Sequence, residues 1–411
     1  MPETYDAIVI GSGQAGPFLA ARLAQSGMRV AIAERKYFGG TCVNNGCIPT
    51  KTMVASAYAA RMARRAAEFG VTLDGPVTVD MQRVKARRDA IVLKDRAGIE
   101  TWLKGLPNCT VYHGAARFVA PHEVAVGEAR LTAGRIFINV GGRAVVPAMP
   151  GLDQVGYLTN SSMMDVDFLP RHLVIAGGSY IGLEFGQMFR RFGSEVTILE
   201  MGPSLVKRED EDVSAAIVDI LEAEGIHIRR NAKCVSVAQR GAEIGVTVDC
   251  TAGAPEVICS HLLLAAGRRP NTGDLGLENA GVRTGEHGYI VVDDRLQTNV
   301  PGVWALGDCN GRGGFTHTSY NDFEIVAANL LDGGSRRVSD RITAYALYID
   351  PPLGRAGLTE AEVRQSGKPA LIATRPMTRV GRAVSHLSDD YLPHPSLQDT
   401  MIRATANLTT I

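Results

Sequence analysis

Two cysteines, Cys42 and Cys47, are the residues whose type and spacing most directly indicate chemistry. They lie in the glycine-containing segment G-G-T-C-V-N-N-G-C-I-P-T-K at residues 39–51, ahead of an alanine-rich stretch at 52–69 that is typical of a helix. A helix N-terminus stabilises a thiolate and lowers the pKa of a nearby thiol, so we expect the pair to be reactive. Two cysteines this close can form a small disulfide ring, and opening and closing that ring exchanges two electrons. The spacing therefore predicts a redox-active pair.

Other interpretations of the pair fit less well. A zinc site needs further nitrogen or sulfur ligands at suitable spacing, and no nearby histidine or second cysteine pair supplies them. A purely structural disulfide is unusual in a cytoplasmic chain. The remaining cysteines are scattered through apolar or mixed segments, and we expect each to be a small buried residue. They are Cys109, Cys234, Cys250, Cys259 and Cys309.

The residues that precede the cysteine segment have a pattern typical of a dinucleotide-binding strand–helix–strand unit. A short apolar strand at residues 5–10 runs into G-S-G-Q-A-G, followed by an apolar helical stretch and a second strand that ends at Glu34. Gly11 permits the tight turn, Gly13 lets a pyrophosphate approach the backbone, and Gly16 lets helix and strand pack closely. The pyrophosphate would bind the N–H groups at the start of the helix. The carboxylate of Glu34 would accept hydrogen bonds from a ribose diol.

The same pattern occurs a second time. A strand at residues 172–176 leads into G-G-S-Y-I-G, then a helix, then a strand that ends at Glu200. Gly177 and Gly182 take the places of the first and third glycines, and the acid follows at the same interval as in the first unit. Ser179 replaces the middle glycine and is small enough to keep the turn. Two such units imply two dinucleotides, one a flavin and one a nicotinamide.

A third segment supports the flavin assignment. The apolar run at residues 302–306 reads as a strand that ends in Gly307 and Asp308, followed by glycines and a T-H-T sequence. Asp308 could hold a polar, sugar-like chain. A helix predicted to begin near Thr318 would point its positive end at an anionic ring system.

Bulk composition excludes several classes of partner. The chain has 411 residues, enough for two or three domains. The chain has 43 basic residues (lysine and arginine) and 43 acidic residues (aspartate and glutamate), so its formal net charge is zero. There is therefore no electrostatic reason to expect nucleic acid or an anionic membrane as partner. No apolar stretch approaches the roughly 20 residues of a membrane span, and the first residues lack the basic region of a signal peptide. We expect a cytoplasmic protein with a small-molecule substrate.

Residues 39–51 resemble the active-site signature of the pyridine nucleotide–disulfide oxidoreductases, which include glutathione reductase, dihydrolipoyl dehydrogenase and mercuric reductase. The resemblance extends over roughly residues 4–360, and residues 177–192, 316–322 and 348–358 are most similar to mercuric-reductase-like flavoproteins. It implies an α/β fold with two three-layer, Rossmann-like domains that bind FAD and NAD(P), plus a shortened C-terminal α+β dimerisation domain. The implied boundaries are 1–150 with 280–340 for FAD, 151–279 for NAD(P), and 341–411 for the interface domain.

The resemblance also implies roles for single residues. Cys47 would face the flavin, and Cys42 would be the interchange thiol that meets the substrate. Lys51 would lie near the flavin and pair with Glu184, and Tyr180 would gate the nicotinamide pocket. The cofactor-binding set that it implies is Gly11, Gly13, Gly16, Glu34, Lys51, Gly177, Ser179, Tyr180, Gly182, Glu200, Gly267, Gly307, Asp308 and His317.

The C-terminal stretch departs from the family pattern. The sequence H-P-S-L-Q-D at residues 394–399 is similar to the family's histidine–acid motif, with aspartate in place of glutamate. His394 and Asp399 could therefore be an acid–base pair on the shortened domain, or could belong to a proline-rich terminal loop. No cysteine follows Cys309, so the C-terminal cysteine pair that hands over the metal in mercuric reductases has no counterpart. A homodimer is implied by the family, and the shortened domain puts it in question.

Taken together, these features predict an FAD-dependent NAD(P)H oxidoreductase that reduces a disulfide or a soft metal ion. Alternatives are a dihydrolipoyl dehydrogenase-type activity, an inactive dinucleotide-binding relative, or a flavin oxidase that passes electrons to oxygen. Glu200 favours NADH, because a carboxylate accepts the ribose 2′-hydroxyl and repels a 2′-phosphate. Lys207 and Arg208 lie shortly beyond and could partly reverse that preference. The mixed-charge run at residues 207–212 is otherwise typical of the start of a surface helix.

Overall fold

The computed structural model describes residues 1–249 and 253–373 of the chain. Within these residues the helices are α1 Gly16–Gln25, α2 Gly40–Asn44, α3 Cys47–Arg64, α4 Met81–Lys104, α5 Tyr180–Phe192, α6 Glu211–Ala223, α7 Leu277–Ala280, α8 Thr316–Leu331 and α9 Glu360–Gln365. The strands are β1 Glu3–Ile10, β2 Val30–Glu34, β3 Cys109–His113, β4 Ala116–Ala120, β5 Glu123–Val126, β6 Ala129–Ile138, β7 Gly142–Ala144, β8 Tyr157–Leu158, β9 His172–Ala176, β10 Glu195–Leu199, β11 His227–Arg229, β12 Lys233–Arg240, β13 Glu243–Asp249, β14 Glu256–Cys259, β15 His261–Leu264, β16 Arg268–Pro270, β17 Val303–Ala305, β18 Ala344–Leu347 and β19 Leu353–Ala356.

The chain divides into two compact units. Unit 1 contains residues 1–50, 87–145 and 268–341, and unit 2 contains residues 51–86, 146–267 and the segment from residue 342 onward. Each unit contains one of the two glycine-rich turns.

Unit 1 is built on a mixed sheet of order β3-β2-β1-β6-β5-β4, with β17 paired to β6. Strands β3, β2, β1, β6 and β17 run parallel, whereas β4, β5 and β6 pair antiparallel. The last four residues of β1, Ala7–Ile10, are all buried, as expected for a parallel strand that is covered on both faces. The chain continues from β1 to β2 on one side while β6 pairs on the other. That reversal of strand order opens a crevice at the carboxyl end of β1, where α/β sheets bind ligands.

Unit 2 repeats this arrangement. Its parallel sheet has the order β11-β10-β9-β15-β8, and every residue of the central strand β9 is buried. Strand β9 leads through the second glycine turn into α5, and β10 then pairs beside β9. A three-stranded antiparallel sheet, β12-β13-β14, and the hairpin β18-β19 complete the described part of the unit. The two predicted Rossmann-like α/β units are therefore confirmed.

Two helix boundaries differ from the sequence-based expectation. Helix α3 begins at Cys47 rather than at Thr52, because Pro49 is tolerated in the first turn of a helix. Helix α8 begins at Thr316 rather than near Thr318. The Thr318 hydroxyl donates to the Phe315 carbonyl at 2.6 Å and accepts from the Phe315 N–H at 3.1 Å, which starts the helix earlier. Both shifts place a residue of the candidate site, Cys47 or Thr316, at the first position of its helix.

The apolar side chains form a separate core in each unit. The core of unit 1 surrounds β1, β2 and β6, and includes the fully buried Phe118 and Phe137. The largest core of unit 2 lies around α5 and includes Phe185, Phe189 and Phe192. No helix in the described parts of the chain is long and apolar enough to cross a membrane.

Candidate redox and dinucleotide-binding sites

The two cysteines of unit 1 meet at one hydroxyl group. Cys42 lies on the short helix α2 and Cys47 is the first residue of α3, and both are half-buried thiols. The sulfur of Cys47 lies 2.8 Å from Thr316 Oγ1, and the same hydroxyl donates to the sulfur of Cys42 at 3.7 Å. The structure thus brings the predicted pair together and adds a third polar group.

The hydrogen bond between the two sulfurs distinguishes them chemically. The pKa of the Cys42 thiol is raised far above its ordinary value by its hydrogen bond to Cys47, by burial and by the charge of Cys47, while Thr316 opposes the shift. The expectation that a helix N-terminus lowers the thiol pKa is therefore wrong for Cys42, which lies on α2 and shares its proton with its neighbour. In the reduced pair this environment favours the thiol form of Cys42.

Thr316 was not among the residues singled out from sequence. Its contact depends on α8 starting at this residue, whereas the sequence pattern suggested a start near Thr318. The one signal that could have identified it is its place directly after the glycine-rich G-R-G-G-F segment, where a helix N-terminus is expected.

In unit 1 the glycine turn is stabilised by hydrogen bonds to Glu34 and by close packing of its own backbone. The Glu34 carboxylate accepts hydrogen bonds from the Ser12 N–H at 3.0 Å, the Ser12 hydroxyl at 2.7 Å and the Lys36 N–H at 2.9 Å. A Cβ atom at Gly16 would overlap the carbonyl oxygen of Gly11, so close packing requires glycine there. The acid at the end of β2 therefore faces the turn, where a dinucleotide ribose would lie.

Unit 2 shows the same geometry at equivalent positions. The Glu200 carboxylate accepts from the Gly178 N–H at 2.8 Å and the Gly202 N–H at 2.8 Å. A Cβ atom at Gly182 would overlap the carbonyl oxygen of Gly177. Gly177 itself has a φ of 124°, which disfavours other residues. The internal repeat inferred from the sequence thus extends to individual hydrogen bonds.

The structure also explains why the middle glycine differs between the two units. Asn139 follows β6, and its side-chain oxygen accepts from the Gly16 N–H at 3.0 Å and would lie 2.9 Å from a Cβ atom at Gly13. Ala265 occupies the corresponding position in unit 2, since its carbonyl faces Gly177 as that of Asn139 faces Gly11. Alanine has no amide side chain, so the turn of unit 2 admits Ser179. Asn139 is thus a second site residue that sequence reasoning missed.

A buried carboxylate organises the segment around Gly307 and Asp308. Asp322, on α8, accepts from the Gly307 N–H at 2.8 Å and the Asn310 side-chain amide at 2.9 Å, and it pairs with Arg341. Asp308 lies in the turn that follows β17, and burial raises the pKa of its carboxyl group. The half-buried carboxylate lies 3.5 Å from Arg268 and would also gain from polar partners such as sugar hydroxyls.

Lys51 and Glu184 form an ion pair in unit 2. Lys51 Nζ lies 2.5 Å from Glu184 Oε2, and Glu184 Oε1 accepts from the Tyr348 N–H at 2.9 Å. The ammonium group also lies 4.4 Å from the centre of the Tyr348 ring, within the range of a cation–π contact. The Glu184 side chain is only 8% exposed, so the pair is held in one geometry. The structure brings together the two residues that the resemblance paired.

The remaining predicted residues are placed as follows. Tyr180 is the first residue of α5, and Gly267, with a φ of 119°, follows the carboxyl end of β15. His317 stacks on Phe315 with ring centres 5.6 Å apart. His394 and Asp399 lie outside the described residues. Within residues 1–249 and 253–373 no group of three or more histidine, cysteine or acidic side chains could hold a metal ion.

Comparison with known proteins agrees with this geometry. Residues 5–322 match the family described as pyridine nucleotide-disulphide oxidoreductase. The chain is 37% identical over 387 residues to a probable pyridine nucleotide-disulfide oxidoreductase, RclA, of Escherichia coli strain K12, covering 92% of this chain and 83% of the relative. It is 38% identical over 387 residues to a mercuric reductase of Streptomyces lividans, covering 92% and 81%. A dihydrolipoyl dehydrogenase of Thermus scotoductus is 33% identical over 386 residues, covering 93% and 82%.

Solved structures show the same relationship. The HOCl-induced flavoprotein disulfide reductase RclA from Escherichia coli superposes with a TM-score of 0.84 at 37% identity, covering 93% of this chain and 84% of that chain. A Cu(II) complex of the same reductase superposes with a TM-score of 0.84 at 35% identity, covering 98% and 85%.

Proposed function

The chain belongs to the pyridine nucleotide-disulphide oxidoreductase family, and we propose that it passes electrons from NADH through FAD to the Cys42/Cys47 pair and on to a small disulfide or a soft metal ion. The observation that carries the proposal is the contact of both sulfurs with Thr316 in the same unit as a complete dinucleotide-binding turn. Its relatives include flavoprotein disulfide reductases and mercuric reductases.

The residues of unit 1 fit FAD. Glycine at positions 13 and 16 carries no Cβ atom, so a pyrophosphate can approach the backbone of the turn closely. Glu34 is placed to accept from the adenosine ribose, and the half-buried Asp308 would accept hydrogen bonds from the ribityl hydroxyls. When bound, FAD accepts two electrons from the nicotinamide and delivers them to the disulfide. In unit 2, Lys51 is held by Glu184 and would supply the positive charge that the family places beside the flavin.

Each residue of the redox pair has a separate task in this proposal. Thr316 Oγ1 contacts the sulfurs of both cysteines, and the raised pKa of Cys42 favours its thiol form until the acceptor arrives. The two thiols then close to a disulfide, releasing two protons and two electrons, which reduce one substrate disulfide to two thiols or two Cu(II) ions to two Cu(I) ions.

Unit 2 is proposed to bind NADH rather than NADPH. The Glu200 carboxylate lies at the end of β10 and already faces the glycine turn through the Gly178 N–H. A ribose 2′-hydroxyl can donate to this carboxylate, whereas a 2′-phosphate would be repelled by it. Lys207 and Arg208, in the same loop, would reduce that preference without removing it.

The acceptor is proposed from the chemistry of the thiols and from the relatives. Thiolates are soft ligands and suit soft metal ions. Relatives of the chain include mercuric reductases, and one solved structure of RclA is a Cu(II) complex. A homodimer, a cytoplasmic location and an acid–base role for His394 and Asp399 complete the proposal as predictions.

An anaerobic titration of the FAD-loaded protein with NADH tests the electron path. A long-wavelength absorbance band should develop after two electrons and then persist, because a thiolate at Cys47 lies next to oxidised flavin. Cys47→Ser should abolish the band, whereas Cys42→Ser should show it before any NADH is added. Cys259→Ser is the matched control, since that buried thiol ends β14 in unit 2 and has no part in the proposed electron path.

Other results of the NADH titration would identify one of the alternative functions. Flavin bleaching without the band, together with rapid oxygen consumption, identifies an oxidase. Failure to retain FAD after reconstitution identifies an inactive relative. If the band forms, steady-state assays with Cu(II), Hg(II), oxidised glutathione and lipoamide separate a metal-ion reductase from a disulfide reductase and from a dihydrolipoyl dehydrogenase.

A further inference from the structure

A side chain from α4 contacts the loop between the two cysteines. Asn44 lies in the sequence C-V-N-N-G-C and is the last residue of α2. Its amide nitrogen donates to the carbonyl groups of Phe38 at 2.9 Å and Gly40 at 2.8 Å, and its amide oxygen accepts from Arg96 Nε at 2.8 Å. The Asn44 amide is thus bonded through both its nitrogen and its oxygen, and it connects α2 to α4.

The guanidinium group of Arg96 is itself held in one orientation. Its central carbon lies 3.7 Å from the centre of the Tyr37 ring, so the group stacks on the ring in a cation–π contact. A planar guanidinium can stack on a ring and donate a hydrogen bond in its own plane at the same time. Tyr37 directly precedes Phe38, whose carbonyl group accepts from Asn44. Arg96 therefore contacts both ends of the segment 37–44, which contains α2.

The beginning of the same segment packs on the glycine turn of unit 1. The Gly39 N–H donates to the Ser12 carbonyl group at 3.1 Å. A Cβ atom at Gly40 would lie 2.8 Å from the Cα atom of Gly13, so the two backbones are in direct contact. The start of α2 is therefore fixed by the glycine turn, and its last residue is fixed by Arg96.

Both sulfurs lie close together while they are still thiols. Cys42 and Cys47 are hydrogen-bonded to each other, and each contacts the Thr316 hydroxyl group. Groups that are held in contact react as if at high concentration, so a fixed loop favours closure of the pair to a disulfide. A loop that is released gives the two thiols more conformational freedom, and this freedom favours the reduced pair. The rigidity of residues 37–44 therefore shifts the equilibrium between disulfide and dithiol.

We propose that Arg96 is a positioning residue of the redox pair, which fixes the loop between the cysteines and so favours their disulfide over the two thiols. Arg96 acts through this loop, since its guanidinium group bonds Asn44 and stacks on Tyr37. The role rests on the proposed function, because it requires Cys42 and Cys47 to exchange electrons. It deepens that function by assigning part of the redox equilibrium of the pair to a residue of α4, outside the cysteine segment.

An anaerobic redox titration of the FAD-loaded protein measures this equilibrium. In mixtures of reduced and oxidised dithiothreitol, the protein dithiol becomes a disulfide as oxidised dithiothreitol takes up two electrons and two protons. Trypsin cleaves after Lys36 and Lys51, so both cysteines lie in one peptide, residues 37–51. Alkylation followed by mass spectrometry of this peptide gives the oxidised fraction. Arg96→Met should lower the equilibrium constant for disulfide formation about ten-fold, which makes the midpoint potential about 30 mV more positive.

Two control variants separate position from charge. Lys94→Gln removes a positive charge from an exposed side chain of the same helix, and it should change the equilibrium constant by less than about two-fold because exposed charges are screened. Tyr37→Phe keeps the ring under the guanidinium group and should stay close to the unsubstituted value. Tyr37→Ala removes the ring and should shift the constant in the same direction as Arg96→Met.

Asn44 provides the decisive comparison. Asn44→Ala should lower the constant at least as far as Arg96→Met, because it also removes the hydrogen bonds to Phe38 and Gly40. Adding Arg96→Met to Asn44→Ala should cause no further shift, since Arg96 acts on the loop through this amide. If Arg96→Met does not give folded, FAD-loaded protein, the same comparison is made with Tyr37→Ala in its place.

The possible results separate this role from the proposed function. Additive shifts in the double variant, or an equal shift for Lys94→Gln, overturn the positioning role. A reversible disulfide that Arg96→Met leaves unchanged also refutes the positioning role, and it leaves the proposed function intact. If the unsubstituted protein forms no reversible disulfide in the peptide 37–51, the proposed function itself fails, and this role fails with it.

Discussion

The hydroxyl oxygen of Thr316, the first residue of α8, lies 2.8 Å from the sulfur of Cys47, the first residue of α3. Each residue stands at a helix N-terminus, where unpaired N–H groups give a partial positive charge. That charge favours a thiolate at this contact, and the threonine hydroxyl can donate to it. The contact therefore places a polar hydroxyl beside Cys47, while the hydrogen bond to Cys47 and burial raise the pKa of the Cys42 thiol.

Thr316→Val should slow the redox chemistry by raising the pKa of the thiols. The hydroxyl opposes the upward shift of the Cys42 pKa, so its loss leaves that pKa still higher. A hydrogen bond to a charged group contributes about 1.5–3 kcal/mol, so alkylation of the reduced pair by iodoacetamide at pH 7 should slow by about ten-fold or more. Thr316→Ser keeps the hydroxyl and should react at nearly the unsubstituted rate. Equal rates for the valine and serine variants would contradict the assignment.

Gly13→Ala should weaken FAD binding, whereas Ser179→Ala should be tolerated. A Cβ atom at Gly13 would approach the Asn139 side-chain oxygen to 2.9 Å, and Asn139 could relax only by releasing its hydrogen bond to Gly16. At Ser179 a Cβ atom is already present, because Ala265 replaces Asn139 there. We expect retention of FAD after gel filtration to fall for Gly13→Ala only. Adding Asn139→Ala to Gly13→Ala should restore part of the FAD retention, because it makes space for the new Cβ atom. If retention does not recover, the close approach of the pyrophosphate to the backbone limits FAD binding instead.

The Lys51–Glu184 pair should show a measurable coupling energy. The Glu184 side chain is buried while that of Lys51 is 33% exposed, so the pair is intermediate between a surface ion pair and a buried ion pair. Urea unfolding of Lys51→Met, Glu184→Gln and the double variant should give an interaction energy of about 1–2 kcal/mol. The exposed pair of Arg240 and Glu256 is the matched comparison and should couple by about 0.5 kcal/mol or less. Equal coupling in the two cycles would indicate that the geometry of Lys51 is not fixed.

Removal of Arg355 should destabilise the protein strongly. Arg355→Met leaves the fully buried Glu209 carboxylate with the Tyr345 hydroxyl as a neutral partner, and breaking a buried ion pair costs about 3–5 kcal/mol. Simultaneous Glu209→Leu removes the unpaired charge and should restore most of the loss. Denaturant unfolding followed by circular dichroism measures both effects. A loss below about 1 kcal/mol for the single variant would mean that water reaches Glu209.

His172 should make the stability of the protein sensitive to mild acid. Burial lowers the pKa of His172 below its ordinary value of 6.5, and its ring bonds the Thr197 hydroxyl at 2.9 Å. The unfolded chain therefore takes up a proton first as the pH falls below about 6.5, so stability is complete above that pH and is lost progressively below it. His172→Gln should reduce the slope of unfolding free energy against pH by up to about 1.4 kcal/mol per pH unit in this window. His287→Gln, at an exposed histidine that does not contribute to the pKa shift of His172, is the control substitution.

Much of the fold and part of the site could be predicted from local patterns. The glycine turns, the buried strands around them and the acids Glu34 and Glu200 were identified because a strand–turn–helix unit is specified over a short stretch of chain. Residues whose role depends on distant segments could not be found in this way. Thr316 lies 269 positions from Cys47, and Asn139 lies 123 positions from Gly16. Glu209 looked like a surface residue because its partner Arg355 is 146 positions away.

The sequence by itself therefore determined the family and the two dinucleotide-type units, and it predicted the reactive sulfurs, since each depends on side chains within one short segment. Only the tertiary structure decided which hydroxyl faces those sulfurs, which amide side chain packs beside Gly13 and which arginine pairs with the buried Glu209. The physical reason is that hydrogen bonds and ring contacts are set by distances of a few ångströms in space. Those distances arise only after parallel strands and packed helices bring remote parts of the chain together.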